Sequence, residues 1–555
     1  MLSLLIIIVI YGFHVNAQRN MRNMYLDDPK GVITGNKRMI DQVAEFTDLG
    51  YDYENGNIWP KPQHESRSDK LYTLDPKTFK FVFKEKNWII KKAINRYKKL
   101  TFPNEHFRVD KKLKQINTID ISIEDLNEPL TLESNESYIL KISYPRSTLE
   151  AKSIWGALRG LETFSQVVHR NGSSYVASET VVRDFPRFKY RGFLIDTSRH
   201  FLPVSQIFQI LDALAYSKFN VLHWHIVDDQ SFPFVSKKFP ELHKKGAFNE
   251  KTHVYNPKQV QDIIHYAKLL GIRVVPEFNT PGHTHSWNGI PGLLTECSST
   301  NQREKAFEDM KGPINPIKNA SYVFLKDFFA EISEVFPDEF IHIGGDEVDF
   351  KCWLSNSEIK KWLANRGNGT NNSGERNEAT LHKYYFNKLI KIIDRLKKKY
   401  IVWQDVFESG AVIEKDAIVN VWKHKWKKEM SRVTKAGHKV VLSSCWYLNY
   451  VSYGLDWPKF YTCDPQGFNG TKKEKDLVIG GSCAIWGEYV DATNIIQRSF
   501  GRAFAVAERL WSSEDTVSIS EALIRIWEHR CRYIDRGIPT EPVTRSKFCR
   551  NEYER

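Results

Sequence analysis

No cysteine lies before Cys297, so the N-terminal third of the chain must fold without a disulfide. The seven that follow are Cys297, Cys352, Cys445, Cys463, Cys483, Cys531 and Cys549, an odd count that leaves at least one thiol unpaired or intermolecular. Long apolar runs are missing beyond the first residues: nothing downstream offers the roughly 20 apolar residues that a helix needs to span a bilayer. A glycine-rich nucleotide loop is absent too, which removes the support for a doubly wound dinucleotide-binding sheet. The net charge of +13, from 80 Lys and Arg against 67 Asp and Glu, is not gathered into one basic tail. Without zinc-finger spacing or an aromatic-basic module, no nucleic-acid partner is expected.

At 555 residues the chain exceeds one ordinary core, and 41% hydrophobic with 26% charged residues is a globular composition, so two domains are expected. Aromatics reach 13%, with 15 Trp, a surplus that stacked sugar faces or large cores would account for. Met1 to Ala17 carries a Leu/Ile/Val stretch ending Val15-Asn16-Ala17, which reads as a cleaved signal peptide and implies the secretory pathway, lysosomal or secreted. Acceptor sequons at Asn135, Asn171, Asn319, Asn368, Asn371 and Asn469 agree with that route.

Residues 18–78 are polar, rich in turn formers and weakly periodic, and read as an arm or loop region. From 79 to 185 the pattern predicts a small α+β domain. Its strands are Phe79 to Phe83, Asp120 to Ile123 and Tyr138 to Ile142. Its helices are a lysine-rich one, with Ile90, Ala93, Ile94 and Tyr97 on one face, and Ala151 to Val168. From 186 to 555 short apolar strands alternate with helices such as Val204 to Ser217 and Pro257 to Leu270. The strands are Phe193 to Ile195, Val221 to His225, Arg273 to Pro276, Phe340 to Gly344, Tyr400 to Trp403, Ile418 to Trp422, Lys439 to Ser443 and Cys483 to Trp486. Eight of them predict a (β/α)8 TIM barrel, whose functional groups collect just after the strands.

The eight strand ends carry Asp196 and Arg199; His225, Asp228 and Asp229; Glu277, Asn279 and His283; Asp346 and Glu347; Trp403; Trp422; Trp446, Tyr447 and Asn449; and Trp486 and Glu488. A rim built for stability alone has no need of Trp and carboxylate at so many tips. Indoles suit the apolar faces of a hydroxyl-rich ring, and charged groups suit its hydroxyls. The fourth tip, Phe340-Ile341-His342-Ile343-Gly344-Gly345-Asp346-Glu347-Val348, stands out. Strict alternation would send Asp346 and Glu347 to opposite faces, and only a strand ending near the two glycines lets both address one ligand. A tight turn leading into a helix with acids in its first turn is the plainer alternative. Glycoside cleavage commonly uses two carboxylates on opposite sides of the bond, so adjacent acids favour a substrate that brings its own nucleophile.

These motifs, together with Asp196-Thr197-Ser198-Arg199-His200-Phe201-Leu202-Pro203, His223-Trp224-His225-Ile226-Val227-Asp228-Asp229-Gln230, Pro281-Gly282-His283-Thr284 and Trp486-Gly487-Glu488-Tyr489, closely resemble the β-N-acetylhexosaminidases of glycoside hydrolase family 20, in particular the animal lysosomal type. The resemblance runs from about Phe79 to the C-terminus and implies substrate-assisted, retaining removal of terminal β-linked GlcNAc or GalNAc from an oligosaccharide or glycoconjugate. It implies Glu347 as general acid/base, Asp346 as holder of the 2-acetamido N–H, and Tyr447 as ligand of the acetamido oxygen. By the same resemblance Trp403, Trp422 and Trp486 wall the sugar, Arg199 and Glu488 hold its hydroxyls, and Asp228 and His283 support the acid/base. Relatives of this kind are commonly dimers, so a homodimer is expected; neither metal nor cofactor is. Asn279 departs from the family's usual aspartate, which puts the pH optimum in question, and Ser482 replaces a usual glutamate. Asn449, with Tyr450 beside it, implies tolerance of a 6-sulfated sugar without strong attraction to it. The resemblance pairs Cys297 with Cys352 and Cys531 with Cys549, leaving Cys445, Cys463 and Cys483 free. Two other readings remain at this point: a catalytically silent glycan binder on the same fold, and a metal-dependent amidohydrolase using His223 and His225, although such pairs are more often hydrogen-bonded structural histidines.

Overall fold

The computed structural model describes residues 55–297, 311–366, 377–450, 454–545 and 547–552. The leader at Met1 to Ala17 and the sequons at Asn368 and Asn371 lie outside them; Asn135, Asn171, Asn319 and Asn469 are exposed.

An eight-stranded sheet comes first: β1 (His64–Leu74), β2 (Lys80–Val82), β3 (Lys114–Ile116), β4 (Thr118–Asp125), β5 (Tyr138–Ile142), β6 (Arg146–Ser153), β7 (His169–Asn171) and β8 (Ser174–Asp184). Seven strands follow the order β2-β4-β6-β5-β8-β1-β3, and β7 pairs with β8. Helix α1 (Trp88–Thr101) buries Ile89, Ile90, Ala93 and Tyr97 and leaves its lysines in water, while the Asn87 side chain caps its first turn. Helix α2 (Ile154–Val167), capped by Ser153, lies against β4, β5 and β6 with α1 packed beside it.

Two expected boundaries move. The region read as an arm over 18–78 contains β1, whose first seven residues are polar and largely exposed, so no alternation marks them; backbone pairing to β8 holds them instead. The helix expected from Ala151 begins at Ile154, because Ala151 to Ser153 complete β6 through ladder pairs with β4 and β5.

The second unit is a closed parallel barrel. Its strands are β9 (Tyr190–Asp196), β10 (Val221–Val227), β11 (Arg273–Phe278), β14 (Phe340–His342), β15 (Lys399–Trp403), β16 (Ile418–Val421), β17 (Lys439–Leu442) and β18 (Val478–Ile485), and β18 pairs back onto β9. A two-stranded ribbon, β12 (Leu294–Glu296) and β13 (Lys311–Ile314), lies between the third and fourth barrel strands. β9 and β10 are buried along their whole length, as strands covered on both faces must be. Near the strand starts, Tyr190, Val221, Val275, Phe340, Ile401, Ile418 and Val441 form one apolar cluster, and Leu132 of the N-terminal domain completes it. The N-terminal mouth is thereby plugged, and the opposite mouth is the one open to chemistry.

Disulfides join Cys297 to Cys352, Cys531 to Cys549 and Cys445 to Cys463, with Cys483 buried as the free thiol. The third bridge corrects the expectation that Cys445 and Cys463 are free. The helix Trp457–Tyr461 folds back beneath the loop after β17, where the Trp446 indole donates to the Phe460 carbonyl at 3.0 Å, and this return brings the two cysteines together.

Buried charges join the two units. Glu136 receives Arg159 at 2.8 Å and Arg191 of β9 at 2.6 Å, while Asp184 receives Lys218 at 2.9 Å and the Trp511 indole at 3.0 Å. All six residues are at most 5% exposed, so none of these charges can be solvated if its partner goes. Replacing Glu136 with Gln leaves two buried guanidinium groups short of a counter-charge; urea unfolding is expected to show a loss of about 3–5 kcal/mol.

Candidate active site

β14 ends at His342, and the chain then turns through Gly344 (φ +69°) and Gly345 (φ +113°). A Cβ at Gly344 would fall 1.8 Å from Asn279 Oδ1, and one at Gly345 2.2 Å from Val406 Cγ2, so both positions require glycine. Glu347 itself has φ +48° and His283 φ +57°, strained backbone of the kind held at functional sites. The turn breaks alternation: His283 Nε2 lies 3.5 Å from Asp346 and 3.7 Å from Glu347, so both carboxylates approach one imidazole nitrogen. Neither acid belongs to a helix, since the next one, Phe350–Ser355, is capped by Asp349.

The two acids differ in environment. Asp346 is buried, and burial alone would raise its pKa, but the charge and hydrogen bond of His283 and the amide of Asn279 outweigh it and hold the carboxyl below its ordinary value. Glu347 is raised, chiefly by partial desolvation, with His283 opposing and Asp346 adding repulsion. Its side chain is still 61% exposed toward the open mouth, so a bound ligand would complete that desolvation. The pair therefore sets a carboxyl held below its ordinary value beside one held above it.

Asp228 is the hub behind them. It forms an ion pair with Arg199 at 3.0 Å and accepts from His225 at 2.7 Å, from His283 at 3.0 Å and from the Asp229 N–H at 2.6 Å. Burial opposes its charge, yet Arg199 and His283 hold it well below the usual carboxylate range. Arg199 is further fixed by Asp196 at 2.8 Å and Gln230 at 3.1 Å, and its guanidinium sits 5.2 Å over the Trp486 ring. Glu488, raised by burial, lies within electrostatic reach of Arg199.

Trp403, Tyr447 and Trp486 cluster with Leu194 and Ala484, and Trp422 and Tyr450 pack against them. Trp403 meets Trp422 at 6.4 Å edge-on and Trp486 at 6.2 Å, which makes a box of aromatic walls. Two of these indoles are aimed by hydrogen bonds: Trp403 donates to Glu277 at 2.7 Å and Trp422 to Asp405 at 2.9 Å. Tyr447 is held through its neighbours, since Leu448 N–H donates to Ala484 O at 2.8 Å and Ala484 N–H to Trp446 O at 2.9 Å. Trp446, by contrast, is wholly buried and belongs to the core. Asn449 Oδ1 is buried with no hydrogen-bond partner among the described residues.

His223 and His225 face one carboxylate. Glu277 receives His223 at 2.8 Å and lies 2.9 Å from His225 Nδ1, while His225 Nε2 bonds Asp228. Burial disfavours the charge on His225, but Glu277 and Asp228 raise its pKa to about 10. The two rings thus pair with Glu277 and Asp228, as hydrogen-bonded structural histidines do.

Two positioning groups escaped the sequence reading. Asp196 was noted at a strand end without a role; its Oδ2 accepts both Arg199 and the Gly487 N–H at 3.0 Å, tying the first strand's loop to the last. Asp405 went unnoticed, although its place two residues after Trp403 at a strand end was the available clue. Burial and nearby Asp346 raise it to about 6 against the pull of Lys423, which lies 2.7 Å away.

Similarity to known proteins agrees with this geometry. Residues 188–514 match the glycosyl hydrolase family 20 catalytic domain, and residues 58–167 match a beta-acetyl hexosaminidase-like domain. The chain is 42% identical to the rat beta-hexosaminidase subunit alpha over 516 residues, covering 90% of this chain and 96% of that one. It is 45% identical to the human beta-hexosaminidase subunit beta over 514 residues, covering 89% and 90%. Among solved structures, the Flavobacterium johnsoniae chitobiase superposes with a TM-score of 0.75 at 26% identity, over 88% of this chain and 74% of that one. With the catalytic-domain match spanning residues 188–514 and relatives 42–45% identical over about nine-tenths of the chain, the protein belongs to glycosyl hydrolase family 20.

Proposed function

We propose that the enzyme removes terminal β-linked N-acetylglucosamine or N-acetylgalactosamine from glycoconjugates, with the substrate's own 2-acetamido group as nucleophile. The observation that carries this reading is the pair Asp346 and Glu347: sequence neighbours at one imidazole, the first with its pKa pushed down and the second with its pKa pushed up. Two acids so close cannot serve opposite faces of a glycosidic bond, but they suit one face with an internal nucleophile.

Glu347 donates its proton to the leaving oxygen while the acetamido oxygen bonds to C1 and the glycosidic bond breaks. Asp346 takes the acetamido N–H and stabilises the positive charge of the oxazolinium ion, whose oxygen faces Tyr447. Water then adds to C1, gives a proton to Glu347 and reopens the ring, so the anomeric configuration is retained. Trp403, Trp422 and Trp486 stack on the sugar and its acetyl methyl, and Arg199 with Glu488 takes the ring hydroxyls. The leader, the exposed sequon asparagines and the three disulfides support passage through the secretory route to a lysosomal or extracellular destination. The relatives are named as subunits, which supports a dimeric unit and, for this chain, a homodimer.

Hydrolysis of an aryl β-N-acetylglucosaminide is the direct test, and NMR of the first-formed anomer must show retention; inversion would sink the neighbouring-group route. Glu347→Gln is expected to lower kcat by about 10²–10⁴-fold, with the smallest loss for the most acidic leaving phenol. Because Glu347 must be protonated to donate, kcat/KM should fall as pH rises through its elevated pKa. On the acid side it should fall only once Asp346 is protonated, below the ordinary carboxylate value, which gives an acidic optimum in a pH–rate profile. A 6-sulfated substrate should be hydrolysed, but no faster than the neutral one, because Asn449 neither repels nor attracts the sulfate; a clear preference for it would remove that role.

A further inference from the structure

We propose that Asn279 is a positioning residue whose amide leaves Asp346 no place to hold a proton, so that Asp346 works as an anion across the whole active range. The proposal rests on the catalytic reading above. Asn279 follows β11 and is 1% exposed. Its Oδ1 accepts the Gly345 N–H at 3.0 Å, and its Nδ2 donates to Asp346 Oδ1 at 2.7 Å. A backbone N–H can only donate, so the amide oxygen must face Gly345 and the NH2 must face Asp346; the flipped amide would set oxygen against carboxylate.

The amide is also locked in place. The amide occupies the space that a Cβ at Gly344 would need, 1.8 Å from Asn279 Oδ1, and its two hydrogen bonds hold it there. The second oxygen of Asp346 faces His283 Nε2 at 3.5 Å, and Asp228 and Asp346 together hold that imidazole well above its ordinary value, against burial. Both oxygens thus look at donors. Around them, Glu277, Asp405 and Glu347 are the other carboxyl groups within electrostatic reach. His342 and His382 are kept neutral by burial, at about 3 and about 4, and Tyr447 is held protonated.

Aspartate at 279 would place an oxygen where the NH2 now stands. At that separation two carboxylates tolerate one another only by sharing a proton, and the pair then loses activity as the shared proton leaves. The test is a pH–rate profile from about pH 3.5 to about pH 8 on an aryl β-N-acetylglucosaminide, with thermal unfolding followed at each pH. Asn279→Asp should reach its highest kcat at least about one pH unit more acid than the unaltered enzyme and then fall about tenfold per unit, with little change in KM. Asn279→Ala should lose about 10- to 100-fold in kcat at every pH without that shift. If Asn279→Asp does not fold at any pH, the pH-independent loss in Asn279→Ala decides the question. An Asn279→Asp profile that superimposes on the unaltered one, or an unchanged kcat in Asn279→Ala, overturns the proposal. An unaltered enzyme that hydrolyses nothing overturns the catalytic reading instead.

Discussion

A carboxylate inside a protein costs several kcal/mol unless all of its lone pairs are met, and the barrel's open end is arranged around meeting that demand twice. Asp228 gathers an arginine, two imidazoles and a backbone N–H; Glu277 gathers His223, His225 and the Trp403 indole. His225 belongs to both sets, so the two centres form one network rather than two. What reaches solvent from it is what a sugar would meet: Arg199, the exposed edge of His283 and an indole wall. Positions in the mouth are therefore set by groups that a ligand never touches.

The strained turn is the second constraint. Two glycines at positive φ and a glutamate in the left-handed region convert a strand that would split its side chains between two faces into a platform that presents both acids together. The same turn accommodates Asn279 only because Gly344 lacks a side chain, so the residues at 279 and 344 are coupled.

Much of this was legible in the sequence, for a physical reason. Parallel strands buried on both faces read as apolar runs, and their polar ends are visible as breaks, which is how Asp228, His283, Asp346, Trp403 and Trp486 came to notice. β1 was illegible because its first half pairs through backbone while its side chains stay in water, leaving no pattern to see. The bridge between Cys445 and Cys463 depends on a helix folding back under Trp446, and an odd cysteine count cannot report that. Asp405 was missed because an acid at the start of a helix is ordinary, and only its 2.9 Å bond to the Trp422 indole gives it a role.

The tie between the chain's two ends carries a cost in time. Gly56 and Asn57 donate to Glu528, and the Trp59 indole to the Phe504 carbonyl, so the first described residues are fastened by some of the last. At about 5–20 residues per second of synthesis, Glu528, 472 positions after Gly56, leaves the ribosome roughly 24 to 94 s behind it. Through that interval the N-terminal sheet can form, but Arg159 and Asp184 wait for Gly271, Lys218 and finally Trp511. The newborn N-terminal sheet therefore lacks part of its own core until Trp511 arrives, and Asp184 lacks the indole that meets its charge.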